Sequence, residues 1–177
     1  MAFDSDTELV TSARAGSDAA FARLVARHQG VVRGFLRRIL GGDGAEADDV
    51  AQEVFLSAWT SLRSLNDAAG VRAWLCGIAW RKARDRMRGR RRAEARDAAW
   101  MAASAPPPGV SPEDRMAMEA AMAALAPDER ACVALCLAEG WSHGEAATAL
   151  GLPLGTVKSH VGRGRAKLLQ ALGGSDG

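Results

Sequence analysis

Apolar residues recur at three- and four-residue spacing along most of this chain, and strict alternation never persists, so the pattern predicts helices and no sheet. Phe21, Leu24, Val25, His28, Val32, Phe35, Leu36 and Ile39 fall on one helical stripe. Ser17 stands where a helix N-cap belongs, and Gly41-Gly42 ends the stripe. Upstream, Ser5 and Glu8 have the spacing of a capping box for a short helix that Gly16 closes. Asp43 and Glu46 repeat that spacing ahead of a helix burying Val50, Val54, Phe55, Ala58, Trp59 and Leu62. The other face of that helix carries Asp48, Asp49, Gln52 and Glu53. The stretch SLNDAAG, residues 64–70, is a turn cluster. Beyond it Trp74, Leu75, Ile78 and Lys82 share a stripe, which places Trp74 in the core and Trp80 nearer the polar boundary.

The pattern breaks at residues 97–112, DAAWMAASAPPPGVSP, which hold four of the six prolines. Proline lacks an amide donor and clashes with the preceding turn, so this segment reads as a linker. Helical spacing resumes with Met118, Met122 and Leu125 after Ser111-Pro112, an N-cap followed by proline at the first helical position. Pro127 opens a helix through Cys136 and Leu137 that Gly140 stops. Ser142 and Glu145 form another capping box, Gly151 turns the chain, and a helix from about Pro153 presents Val157, Val161 and Leu168 inward. A helix, a glycine turn and a basic helix make a helix-turn-helix. The expected fold is all-α: a helical domain over 1–96, a linker over 97–112 and a helix-turn-helix domain over 113–177.

Composition narrows the function classes. Apolar residues make up 48% of 177, enough for a core, and the net charge is +2. The charge is segregated, however. Residues 43–53 hold five acids and no base, 81–96 hold nine bases against Asp85 and Glu94, and 156–172 carry Lys158, Arg163, Arg165 and Lys167 with no acid. Segregation of this kind suits a polyanion on one surface and a different partner on another. The acidic N-terminus has no apolar leader, and the run from Ala131 to Ala138 is too short to span a membrane. The expectation is a soluble, cytoplasmic protein with no membrane insertion of its own. Three cysteines give no disulfide framework. Cys132 and Cys136 lie one turn apart without a CxxC or HxxxH partner and read as packed thiols. His28, His143 and His160 are far apart in sequence, so no catalytic constellation, metal site or cofactor is expected.

A recognition helix needs small or polar residues where its backbone nears the groove, and cations for phosphate. Thr156, Lys158, Ser159, His160, Arg163 and Lys167 supply both. The cationic run after Trp80 can track a phosphate backbone, with aromatics available for stacking. Two basic surfaces suggest bipartite DNA contact, and the acidic helix between them points to a protein. One rival is an ordinary helix-turn-helix regulator with an N-terminal helical sensor or dimerisation domain; DNA binding with no other protein present would favour it. Another is a protein-binding adaptor, favoured by salt-independent partner binding with no nucleic-acid affinity.

The stretches DDVAQEVFLSAW (48–59), VRAWLCGIAWRKARDRMRGRRR (71–92), LAPDERACVALCLAEGWSHGEAA (125–147) and LGLPLGTVKSHVGRGRAKL (150–168) carry a family resemblance. In that order and spacing the chain resembles the extracytoplasmic-function group of bacterial RNA polymerase sigma factors. The resemblance implies that Asp48, Asp49, Gln52, Glu53 and Phe55 dock on core RNA polymerase. It implies that Ser64, Leu65, Asn66 and Asp67 capture a flipped base of the −10 element. Trp80, Arg81, Lys82, Arg84, Arg88 and Arg91 would hold the adjacent DNA. Thr156, Lys158, Ser159, His160, Arg163 and Lys167 would read the −35 element of promoter DNA. An anti-sigma factor is the further partner implied. The chain departs from the family pattern at His160, where Arg is usual, and at Gly144, Gly162 and Gly164, where larger residues are usual. Glycine inside a helix costs about 1 kcal/mol relative to alanine, so the last two imply a pliable helix or a close backbone approach.

Overall fold

The computed structural model describes residues 5–42, 44–96 and 112–173, and every regular element among them is helical. The chain forms α1 (Asp6–Arg14), α2 (Asp18–Leu40), α3 (Ala45–Ser61) and α4 (Val71–Arg96), then α5 (Pro112–Ala123), α6 (Pro127–Val133), α7 (His143–Leu150) and α8 (Leu154–Gly173). The linker expected over 97–112 lies outside the described residues except for Pro112, which begins α5 instead of closing the linker.

Local signals set most helix ends. Ser5 and Glu8 form the expected capping box, and the Ser17 hydroxyl accepts from the Ala20 amide. Gly41 ends α2 at φ +71°, a conformation that glycine adopts without a Cβ penalty. The expected Asp43–Glu46 box is corrected: Asp43 lies outside the described residues, and left-handed Gly44 is the N-cap of α3 with no side-chain cap. Glu46 turns to Arg90 on α4 instead, at 3.4 Å. α6 runs on into one π-helical turn, Ala134–Ala138, closed by Gly140 at φ +69°. Ser142 and Glu145 cap α7 reciprocally, and Gly151 ends it in the left-handed region.

Helices α1–α4 bury one core. Phe35, Leu36 and Ile39 of α2 meet Val50, Val54 and Ala58 of α3 and Leu75, Ala79 and Trp80 of α4. His28 joins this core as expected, buried and 3.0 Å from Asp6 through Nε2. Burial is the main influence on its pKa, which lies below the usual imidazole value despite Asp6. Three aromatic expectations are corrected. Trp80 is 2% exposed, because α4 is covered both by α2 and α3 and by α7. Trp74 is only half-buried. Trp59, expected inside, is 39% exposed and packs on Phe21 with the rings tilted by 58° and centroids 4.8 Å apart.

The C-terminal helices do not hang free. The glycine at 77 lets α7 lie directly on α4: a Cβ there would come 2.9 Å from the Ala149 carbonyl oxygen. The Arg72 guanidinium covers the buried Trp141 ring at 4.4 Å. Arg38 pairs with Glu139, and Arg130 donates to the Ile39 carbonyl at 3.0 Å.

Candidate protein-docking and nucleic-acid surfaces

On α3, Asp49, Gln52 and Glu53 are exposed on the face opposite Val50 and Val54. Asp48 is drawn back to α2, 3.2 Å from Arg37 and 3.9 Å from Arg33. Glu53 pairs with Arg86 at 2.7 Å and Lys82 at 3.5 Å. Asp49 and Gln52 make no side-chain hydrogen bond within the described residues. Phe55 is half-buried. Leu56, which pattern reading passed over, is 68% exposed. It continues the Asp49–Gln52–Glu53 stripe by one turn. The signal was available: an apolar residue off the core stripe of an amphipathic helix.

The turn at 64–70 is built on a fixed base. Arg14, at the end of α1, donates through Nε to the Leu62 carbonyl at 3.3 Å and through Nη2 to that of Leu65. Leu65 is 6% exposed, so this predicted base-contacting side chain is a core plug. Ser64 donates to the Ser61 carbonyl at 2.8 Å, and the Asp67 carboxylate accepts from the Ala69 amide at 3.0 Å. Asn66 is exposed, and its side chain makes no hydrogen bond within the described residues. The loop therefore offers one uncommitted amide on a braced turn.

The cations of α4 divide between two flanks. Lys82, Arg86 and Arg90 face α3 and pair with Glu53 and Glu46. Lys82 is thus turned to a carboxylate of its own chain. Arg84, Arg88 and Arg91 are exposed on the other flank. Arg84 lies 5.9 Å over the Trp80 ring, and Arg88 pairs with Asp85 one turn back. Arg81 is exposed beside the α4–α7 contact. Trp80 itself presents no ring to a base in this arrangement, since buried packing occupies it.

α8 buries Val157, Val161 and Gly164 against α6 and α5, with Leu168 half-buried. Its outward ridge is Gly155, Ser159, Gly162 and Ala166, all small and exposed. Lys158 and Arg165 flank the ridge on one side, exposed and without a partner among the described residues. Arg165 was missed as a site candidate although its charge was plain in the sequence. On the other side Thr156 and His160 are half-buried, and Arg163 and Lys167 are exposed but tied to one residue. Arg163 Nε donates to Glu129 Oε1 at 3.2 Å, and Lys167 Nζ to Oε2 at 2.6 Å. The glycines have different causes. A Cβ on Gly164 would meet Val133 Cγ2 at 2.5 Å, so that glycine serves close packing on α6, while Gly162 faces open space. A small-faced helix after a glycine turn, flanked by cations, has the shape and charge to enter a DNA major groove.

No described cluster of histidine, cysteine or acidic residues is placed to hold a metal, and no described helix is long and apolar enough to cross a membrane. Cys132 is buried, and burial pushes its thiol up to about 12, as for Cys76.

The model of sigma-70 region 2 matches residues 24–93, and that of sigma-70 region 4 matches residues 115–168. The RNA polymerase sigma factor CarQ of Myxococcus xanthus is 36% identical over 163 residues, covering 90% of this chain and 93% of that protein. The ECF RNA polymerase sigma factor SigM of Mycobacterium tuberculosis is 33% identical over 177 residues, covering 96% and 85%. This chain belongs to the extracytoplasmic-function family of RNA polymerase sigma factors. A solved structure of CnrH in complex with the cytosolic domain of CnrY superposes on this sigma factor with a TM-score of 0.75. The identity there is 32%, covering 98% of this chain and all of CnrH. The region 2 match removes the regulator reading, because the N-terminal helices are a sigma module rather than a sensor domain.

Proposed function

We propose that this protein is an alternative sigma factor that binds core RNA polymerase, directs it to particular promoters and assists opening of the −10 region. It catalyses no reaction itself; the polymerase does the chemistry, in the cytoplasm. The observation that carries this reading is the pairing of two sigma regions, in order, with surfaces of matching chemistry. On this reading the two domains are 1–96 and 113–177, joined by the linker.

The α3 stripe Asp49, Gln52, Glu53 and Leu56 is the polymerase contact, with unpaired acid and amide groups beside exposed apolar surface. Asn66 takes the flipped −10 base: an extruded base exposes its Watson–Crick edge, and an amide offers both donor and acceptor. Arg84, Arg88 and Arg91 neutralise nearby phosphates. The small ridge of α8, with Lys158, Arg163 and Arg165, reads the −35 element. An anti-sigma protein holds the factor inactive, as supported by the similar structure of the sigma factor RpoE in complex with the anti-sigma factor NepR from Bartonella quintana, 26% identical with a TM-score of 0.74.

Transcription of the organism's own fragmented genomic DNA by core polymerase, with and without this protein, tests the proposal. New 5′ ends preceded by a recurring pair of spaced motifs are expected. Start sites identical to those of core polymerase alone would overturn it.

A further inference from the structure

Among the described residues only two polar side chains are buried, His28 and Glu129. His28 closes a core contact with Asp6. Glu129 stands at the start of α6, 5% exposed, and both its oxygens are used by cations of α8. The Lys167 hydrogen bond, above all, holds the Glu129 carboxyl below its ordinary pKa, so it is a carboxylate. The contact depends on Gly164, which lies between the two cations in sequence. Its missing side chain brings α8 onto Val133 and to within 3.8 Å, from the Cβ position, of the Glu129 carbonyl.

Arg163 is held at two points. Nε donates to Glu129, and Nη2 lies 3.0 Å from His160 Nδ1. Arginine only donates, so that ring nitrogen accepts and the imidazole proton sits on Nε2. Nη1 has no partner within the described residues, and the side chain is 59% exposed. A long flexible side chain is thus fixed at its inner edge with its outer edge left open. Fixing a planar fork before it meets its target removes the entropy cost of ordering it there.

We infer that Glu129 is a positioning residue for DNA reading, holding Arg163 by Nε so that its outer guanidinium edge meets a guanine O6/N7 pair already oriented. Lys167 stays with Glu129 and takes no phosphate. The inference rests on the reading of α8 as the −35 helix. His160 and Gly164 become parts of this device, which accounts for two of the departures from the family pattern.

The experiment measures binding of the holoenzyme to a promoter from the transcription mapping and to its single base-pair substitutions across the −35 element. Glu129→Gln and Arg163→Ala are each expected to relax discrimination at the same one base pair, by about tenfold, the scale of a bidentate arginine–guanine contact. The double variant is expected to lose no more than Arg163→Ala alone, since the two changes remove one interaction. Arg163→Lys keeps the charge without the fork and is expected to lose the same discrimination at an unchanged salt slope. That variant decides the matter if thermal melting shows Glu129→Gln unfolded. Uniform weakening at all base pairs by Glu129→Gln, additive losses in the double variant, or full discrimination by Arg163→Lys would overturn the inference. If wild-type holoenzyme discriminates at no −35 pair, the −35 reading itself falls. If it discriminates and Glu129→Gln leaves that untouched, only the positioning role falls.

Discussion

The cationic half of α4 and the recognition helix α8 look alike as strings of bases, yet they neutralise their charge in different ways. On α4, Lys82, Arg86 and Arg90 lean on Glu53 and Glu46, whose side chains are 47% and 32% exposed. Water screens such pairs, and each is worth about 0–1 kcal/mol. On α8, Arg163 and Lys167 share Glu129, whose side chain is 7% exposed. There the carboxylate is shielded from water with its two partners in place, so these pairs are screened less than those on α4. The lesson is that the neighbouring helix decides which cations remain to neutralise phosphate and which are held in place. Each helix keeps one flank that no carboxylate of another described helix claims: Arg84, Arg88 and Arg91 on α4, where Arg88 pairs only with Asp85 of its own helix, and Lys158 and Arg165 on α8.

The largest effect comes from the apolar half of α4. Trp80→Ala is expected to cost about 3–5 kcal/mol in urea unfolding, the range for a buried large aromatic. Trp59→Ala, at a rim site, should cost much less. Equal costs would break the view that α4 carries the core and only its far end serves DNA. Next is the packing that brings α8 to Glu129. Gly164→Ala forces a Cβ into Val133 and should cost about 1–3 kcal/mol by thermal unfolding. Gly162→Ala, two residues earlier and in open space, should instead stabilise by up to about 1 kcal/mol through helix propensity. Opposite signs sharpen the contrast between the two glycines; equal signs would remove it. The smallest effect is with pH. Because Glu129 titrates below its ordinary value of 4.5, its stabilisation is complete above that value and is lost as pH falls through the folded pKa. Melting temperature should therefore fall less steeply with acid in Glu129→Gln than in wild type.

Much of this was legible from residues alone, for physical reasons. Caps at Ser5, Ser17 and Ser142 are local events, set by a hydroxyl three residues from an amide, so spacing reveals them. The core stripe of α2 follows from helical period. What sequence does not carry is which neighbour covers a helix. Trp80 reads as a boundary residue until α7 is known to lie over α4 through Gly77. Leu65 reads as a loop residue until Arg14, fifty-one positions away, claims its carbonyl. Lys82, Arg163 and Lys167 read as free cations because their carboxylates come from other helices. Gly44 replaced the expected Asp43 cap because a left-handed residue can enter a helix without a side-chain bond.

The central claim, that flank and not number fixes which cations of α4 neutralise phosphate, is tested most directly by the salt dependence of open-complex formation by the holoenzyme. Two triple variants are compared, Arg84/Arg88/Arg91→Ala and Lys82/Arg86/Arg90→Ala, both removing three charges from α4. The first is expected to flatten the slope of log K against log salt by about 0.7–0.9 for each phosphate that is no longer neutralised. The second is expected to leave the slope as in wild type, at a cost of surface-pair stability alone. Equal flattening by both variants, or flattening by the second alone, would contradict the account.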